Sequence, residues 1–94
     1  MLYRGRLAVI YDMLRVIREN RKIRPTLIMY KANLSHKLMK ECLTVLLADG
    51  LILEAKNKGN SFYSITPKGQ EFISDFSKIR GLTNNFRWQE KENY

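Results

Sequence analysis

The chain has 94 residues, of which 45% are apolar and 28% are charged, the composition of one small folded domain. Its formal net charge is +8, and its single cysteine and single histidine exclude a disulfide framework and a multi-cysteine zinc site. No apolar run approaches the roughly 20 residues of a membrane span, so we expect a cytoplasmic protein without a membrane partner. A chain of this length buries a modest core, which favours pairing with a second copy.

The excess positive charge lies in the first part of the chain. Residues 1–40 contain ten lysines and arginines against two acidic residues, whereas residues 41–94 contain seven of each kind. Such asymmetry favours a polyanionic partner, either nucleic acid or an anionic membrane surface. The alternative is a basic surface that contacts only solvent.

The first predicted element is an amphipathic helix of about four turns that ends near Asn20. Its apolar residues repeat at alternating spacings of four and three, which predicts one buried stripe. The stripe consists of Tyr3, Leu7, Ile10, Leu14 and Ile17.

A short second helix is predicted from Leu27 to about Asn33. Thr26 is expected to be its N-cap, because a hydroxyl oxygen can accept a hydrogen bond from the first helical turn. Pro25 disfavours helical backbone at the residue before it. Residues 23–26, just before this helix, could supply a vestigial strand.

The third helix is predicted from His36 to Asp49, with Ser35 as N-cap and Gly50 as the left-handed residue that ends it. Its polar side is cationic in the N-terminal half. The apolar side covers an arc of roughly 160° at about 100° per residue and is expected to be buried. It is formed by Leu38, Met39, Cys42, Leu43, Val45 and Leu46.

Two segments rich in β-forming residues, 51–55 and 62–65, predict a hairpin. The polar and basic segment between them, residues 56–61, is expected to form a tip longer than a minimal turn.

A fourth helix is predicted to start with Thr66 as cap and Pro67 as first helical residue. Gly81 weakens its continuation, so the helix is assigned to residues 67–81. Residues 82–94 are expected to be a frayed helical continuation or a disordered tail.

The predicted order is helix, short helix, turn, helix, hairpin, helix. This is the order of a winged helix-turn-helix, an α+β and mainly helical fold with a three-helix core, a β-hairpin wing and a C-terminal helix. Because capping, turn and hydrophobic signals agree, we assign residues 3–66 to this domain.

The polar side of the third helix is the predicted DNA-reading surface, since the N-terminal residues of a recognition helix approach base edges in the major groove. Lysines can neutralise phosphates or donate to guanine, and hydroxyl and imidazole groups can make shorter contacts. The hairpin tip is expected on the backbone or in the minor groove, and nearby arginines are candidate phosphate contacts. The predicted DNA-binding residues are Ser35, His36, Lys37, Lys40, Thr44, Lys56, Asn57, Lys58, Asn60, Arg4, Arg6 and Arg24.

Glu41 is the acidic residue on this side of the third helix, and its carboxylate repels phosphate. Two interpretations are open: it accepts a hydrogen bond from cytosine, or it is held in an ion pair with Lys37 or Lys40. With no arginine on this face, we expect phosphate contacts to outweigh base reading.

Three segments carry a family resemblance: MYKANLS at residues 29–35, LLADGLI at 46–52 and YSITPKG at 63–69. They resemble the small archaeal winged-helix DNA-binding proteins of about ten kilodaltons, over about residues 3–80. The resemblance implies double-stranded DNA binding by a transcriptional regulator or a chromatin-associated, nucleoid protein. It also implies homodimers held by the C-terminal helix; the alternative for its apolar residues is packing within the monomer. The expected interface residues are Phe72, Ile73, Phe76 and Ile79.

The same residues bear on other possible functions. Paired carboxylates, a Gly-rich phosphate loop and a nucleophile–base pair are not visible, so we expect no enzyme activity, metal, cofactor or small-molecule ligand. A protein-interaction module within transcription machinery remains open, with Phe86 and Trp88 as aromatic anchors. RNA binding is a weaker alternative, because no exposed stacking aromatics can be assigned to the basic surface.

Overall fold

The structure is a computed structural model that describes the backbone of residues 5–85 and the side chains of residues 5–79. Four helices and one hairpin follow in the predicted order. Tyr3, Arg4, Phe86 and Trp88, to which the sequence assigned roles, lie outside the described residues. The elements are α1 (Arg6–Asn20), α2 (Pro25–Lys31), α3 (His36–Ala48), β1 (Ile52–Asn57), β2 (Asn60–Ile65) and α4 (Pro67–Asn85).

Helix α1 is the centre of the fold and contacts the other three helices and strand β2. Leu14 and Ile17 are fully buried as predicted, but Leu7 is 53% exposed, so its assignment to the buried stripe is wrong. At about 100° per residue Leu7 falls within the buried arc, between Leu14 and Tyr11, but it lies in the first turn, at the exposed N-terminal end of the helix. The buried residues of α1 are Val9, Tyr11, Met13, Leu14 and Ile17.

Helix α2 begins two residues earlier than predicted, at Pro25. Arg24 is its N-cap in an extended conformation with ψ 153°, so the proposed Thr26 cap is wrong. Proline suits the first helical position because its φ is already helical and the missing N–H has no intrahelical acceptor there. The helix stops at Lys31, before Asn33 adopts the left-handed φ of 57° that asparagine tolerates.

Helix α3 follows its local signals closely. The Ser35 Oγ accepts a hydrogen bond of 3.1 Å from the Leu38 backbone N–H, and Gly50 has the predicted left-handed φ of 72°. Val45 is exposed, because it lies at the edge of the apolar arc and not towards its centre. The buried residues are Met39, Cys42, Leu43 and Leu46.

The hairpin is longer and its turn tighter than predicted. β1 and β2 are antiparallel with Ile52 opposite Ile65 and Asn57 opposite Asn60. The turn consists of Lys58 and Gly59, with φ values of 54° and 82°. Two successive positive φ angles define a two-residue type I′ turn, whose twist matches that of the strands. The predicted long tip over residues 56–61 is therefore wrong.

The vestigial strand proposed for residues 23–26 is reduced to a single bridge at Ile23, because α2 already begins at Pro25. The Ile23 N–H donates to the Tyr63 carbonyl at 3.0 Å, and the Tyr63 N–H donates back at 2.8 Å. Both residues are buried, so this bridge anchors the hairpin to the linker between α1 and α2.

Helix α4 starts as predicted, with a 3.1 Å hydrogen bond from the Gly69 N–H to Thr66 Oγ1. It continues through Gly81 to Asn85, in agreement with the helical continuation that was one of the two expectations for the residues after 81. A glycine inside a helix costs only about 1 kcal/mol relative to alanine and need not end it. At Gly69 a Cβ would overlap the Leu51 carbonyl oxygen and lie 2.7 Å from Ile65 Cγ1. The absence of a side chain there lets α4 pack against the hairpin.

Candidate nucleic-acid interface

The polar side of α3 is solvent-exposed, as predicted. His36, Lys37, Lys40, Glu41 and Thr44 all lie on the surface. Among the described residues, no carboxylate lies within ion-pair distance of Lys37 or Lys40. Their ammonium groups can therefore meet an external anion without first leaving an internal partner.

The two hydroxyl groups of this helix are partly engaged with the backbone. Ser35 Oγ accepts the capping hydrogen bond, so its own O–H remains able to donate. Thr44 Oγ1 donates to the Lys40 carbonyl oxygen at 3.1 Å, so it retains only its acceptor capacity. A phosphate, which accepts hydrogen bonds, can be bound by Ser35 more readily than by Thr44.

Glu41 forms an ion pair with a residue of helix α1. Its Oε1 lies 3.3 Å from Arg6 Nη2 at the start of α1. Of the two interpretations left open for Glu41, the structure shows an ion pair, but with Arg6 in place of Lys37 or Lys40. Arg6, predicted as a phosphate contact, therefore already has an acidic partner. The two residues are 35 positions apart in the chain, so no local pattern indicated the contact.

The hairpin presents one unpaired lysine at its tip. Lys58 occupies the turn and has no acidic partner among the described residues, whereas Lys56 Nζ lies 3.9 Å from Glu54 Oε2. The same carboxylate accepts a 2.6 Å hydrogen bond from Ser61 Oγ. Because side chains alternate along a strand, Lys56 and Asn57 point to opposite faces of the hairpin. The tip therefore has fewer available positive charges than predicted, and Lys58 is the more available of its two lysines.

The linker before α2 is attached to the hairpin by two side-chain contacts. Arg24 Nη2 donates to Asn60 Oδ1 at 3.2 Å, and the Lys22 ammonium lies 5.8 Å from the centre of the Phe62 ring. The sequence predicted Arg24 and Asn60 as separate DNA contacts. The structure brings them together and gives both a role in positioning the hairpin.

The apolar residues of α4 divide between the monomer core and the surface. Ile73 is buried within the chain, which corrects its assignment to a dimer interface. The Phe76 ring lies 4.6 Å from that of Tyr11, and Phe72 is half-buried beside it at 6.1 Å. Ile79 is 55% exposed. Of the four predicted interface residues, Ile79 retains the most surface for a partner.

Sequence reasoning did not single out Tyr30, an 80% exposed tyrosine on α2. Its size and exposure are visible only once α2 is placed, because a seven-residue helix carries too few residues to define its buried side from periodicity.

Cys42 lies inward from Glu41 and is fully buried. Burial raises the pKa of its thiol, and the nearby Arg6 guanidinium offsets part of that increase. Within residues 5–79, no three histidine, cysteine or acidic side chains are grouped so that they could hold a metal ion. None of the helices described is both long and apolar enough to cross a membrane.

A family model described as winged helix-turn-helix matches residues 3–84. The chain belongs to the winged helix-turn-helix family. The helix α3 has the position that this fold gives to the recognition helix and the β1–β2 hairpin that of the wing, which confirms the predicted fold class. No curated protein has a sequence that matches this chain.

Solved structures support the same winged-helix fold. Sso10a-2, a DNA-binding protein from Sulfolobus solfataricus, superposes with a TM-score of 0.81 at 20% identity, covering 95% of this chain and 92% of that one. The transcriptional regulator BldR from the same organism superposes with a TM-score of 0.71 at 16% identity, covering 83% of this chain and 58% of BldR. MarR from E. coli in complex with operator DNA superposes with a TM-score of 0.66 at 17% identity, covering 72% of this chain and 51% of MarR. This winged helix thus spans little more than half of the last two proteins.

Proposed function

We propose that this winged-helix protein binds double-stranded DNA, with α3 in the major groove and the tip of the wing on the backbone or in the minor groove. The observation that carries the proposal is the exposed face of α3, where Lys37 and Lys40 have no acidic partner among the described residues. Two lysines that have no internal ion pair to break lose little on meeting phosphates, and their binding releases condensed counterions.

The chemistry of this face favours contact with the backbone over base reading. Lys37 and Lys40 are flexible point charges, and the Thr44 hydroxyl is already donating within its own helix. His36 and Ser35 are the remaining polar groups near the start of α3. We therefore propose modest sequence preference, as in a chromatin-associated protein or in a regulator whose specificity comes from paired half-sites.

Two similar structures support DNA as the partner by their stated functions. Sso10a-2 is named a DNA-binding protein and matches over nearly its full length, and MarR was solved with operator DNA. Since both share about a fifth or less of their residues with this chain, the proposal depends on its own exposed lysines.

The proposal is tested by measuring binding to duplex DNA over a series of salt concentrations. We expect the logarithm of the affinity to fall linearly with the logarithm of salt concentration, with a slope of about −0.9 for each phosphate contacted. Absent or salt-independent binding would contradict it. Footprinting on genomic DNA then separates the two roles, because a regulator protects a few palindromic sites and an architectural protein protects DNA uniformly.

We further propose that the protein is a homodimer that uses the exposed side of α4. Ile79 lies one turn beyond Phe76 on α4, and Leu7 lies one turn before Tyr11 on α1, so both flank the Tyr11–Phe76 ring contact. Two exposed large aliphatic side chains beside a half-buried aromatic ring are suited to a second apolar surface.

The dimer is tested by sedimentation equilibrium of Ile79→Glu. We expect this variant to be monomeric, because a carboxylate would be buried unpaired in the interface. Leu53→Glu is the matched control: Leu53 is 61% exposed on the wing, so the same charge there should leave a dimer intact. A monomeric wild-type chain would contradict the proposal.

A further inference from the structure

The ion pair between Arg6 and Glu41 joins the start of α1 to the middle of the exposed face of α3. The Arg6 Nη2 to Glu41 Oε1 distance is 3.3 Å, and the side chains are 56% and 44% exposed. Lys37, one turn earlier on the same helix, is a geometrically available partner for Glu41. The structure nonetheless pairs Glu41 with an arginine 35 residues away, and Lys37 has no acidic partner among the residues that the structure describes.

The position of Glu41 makes its charge important for DNA binding. It lies four residues after Lys37 and three before Thr44, so all three share the exposed stripe of α3. The two positive charges of Lys37 and Lys40 and the negative charge of Glu41 give this face a net charge of +1. Arg6, beside Glu41, raises the net charge to +2. An unscreened carboxylate here would repel the same phosphates that the lysines attract.

We propose that Arg6 is a positioning residue for DNA binding, which neutralises Glu41 and holds its carboxylate towards α1 so that α3 meets the phosphates as a cationic face. This inference rests on the proposed DNA-binding function. It gives Arg6 a role different from that of a direct phosphate contact. Loss of Arg6 both removes a positive charge and exposes the negative charge of Glu41.

The test is a double-mutant cycle in which fluorescence anisotropy reports binding to a labelled mixed-sequence duplex of about 30 base pairs, close to three helical turns. We expect Glu41→Gln to tighten binding about threefold and Arg6→Ala to weaken it about tenfold. In the Glu41→Gln background, Arg6→Ala should weaken DNA binding only about twofold. The resulting coupling of about fivefold is at the upper end for an exposed ion pair.

The slope of affinity against salt separates positioning from direct contact. If Arg6 acts through Glu41, Arg6→Ala leaves the slope unchanged in the Glu41→Gln background. If Arg6 itself binds a phosphate, the slope becomes shallower by about one unit. Arg6→Lys should retain most of the wild-type affinity, because it keeps a cation beside Glu41.

Arg18→Ala is the matched control, since Arg18 is an exposed arginine on the same helix with no acidic partner among the described residues. Arg18→Ala should change the DNA affinity by the same factor in the wild-type and the Glu41→Gln backgrounds. Thermal melting of each variant confirms that the fold is intact.

Three results would overturn the inference. Equal costs of Arg6→Ala in both backgrounds, with a shallower salt slope, would make Arg6 a direct phosphate contact. Weaker binding by Glu41→Gln would make Glu41 a favourable DNA contact. Failure of the wild-type chain to bind the duplex would overturn the proposed function itself, and is distinguishable because it appears before any variant is compared.

Discussion

Helices α3 and α4 are both amphipathic, but they leave opposite chemistry exposed. α3 buries Cys42 and Leu46 and presents two lysines without an acidic partner in the described part of the chain, whereas α4 buries Ile73 and leaves Ile79 on the surface. The inner sides contribute to the same core. The outer sides therefore suit the two different partners proposed above, DNA for α3 and a second copy of the chain for α4. Substitutions on these faces should separate stability, DNA affinity and self-association from one another.

The largest expected effect is on stability, at the inner side of α4. Gly69→Ala would drive a methyl group into the Leu51 carbonyl oxygen and the Ile65 side chain. Because a backbone oxygen cannot move aside as a side chain can, we expect a loss of about 3 kcal/mol and a Tm lower by roughly 10 °C or more. Thermal denaturation followed by circular dichroism measures both.

The matched control for Gly69→Ala is Gln70→Ala, the next residue of the same helix, whose side chain is exposed. We expect it to change stability by no more than about 0.5 kcal/mol. A Gly69→Ala variant as stable as the control would mean that α4 can shift away from the wing without loss.

The next effect is on DNA affinity, at the outer side of α3. Lys37→Ala combined with Lys40→Ala removes two free cations, so we expect roughly 30-fold weaker binding at 0.15 M salt and a slope shallower by about two units. Lys68→Ala with Lys78→Ala removes the same charge from exposed positions on α4 and should have a smaller effect. Similar losses in both pairs would mean that net charge, and not the face of α3, determines binding.

The accuracy of the sequence predictions differs between the two helices for a physical reason. α3 is bounded by local chemistry: Ser35 caps its first turn and Gly50 supplies the left-handed residue after its end. The end of α4 has no such local signal: Gly81 weakens a helix without stopping it, so the sequence left a helical continuation and a disordered tail open, and the structure has the continuation as far as Asn85.

Errors in the candidate site arose where contacts join distant parts of the chain. The Arg6–Glu41 ion pair and the Arg24–Asn60 hydrogen bond each join residues more than 30 positions apart. The pattern of charged residues predicted correctly which side of α3 faces solvent. They could not tell which cations already had partners, because that depends on how α1 and the linker pack against α3 and the wing.

The wing turn was misjudged for a local reason. Lys56, Asn57 and Asn60 are poor strand residues, so residues 56–61 were predicted as a long loop. Gly59 readily adopts positive φ, which permits a two-residue turn and extends both strands to its edges. The consequence is that Lys58 alone occupies the first turn position, while Lys56 stays within reach of Glu54.

The smallest expected effect compares these two wing lysines. Lys58→Asn removes an unpaired charge while keeping a residue that tolerates positive φ, so the turn should persist. We expect about fivefold weaker DNA binding at 0.15 M salt and a slope shallower by about one unit, as for one phosphate contact. Lys56→Ala should weaken binding by less, because the Glu54 carboxylate already offsets part of that charge. If Lys56→Ala has the larger effect, the strand face of the wing, and not its tip, lies against the DNA.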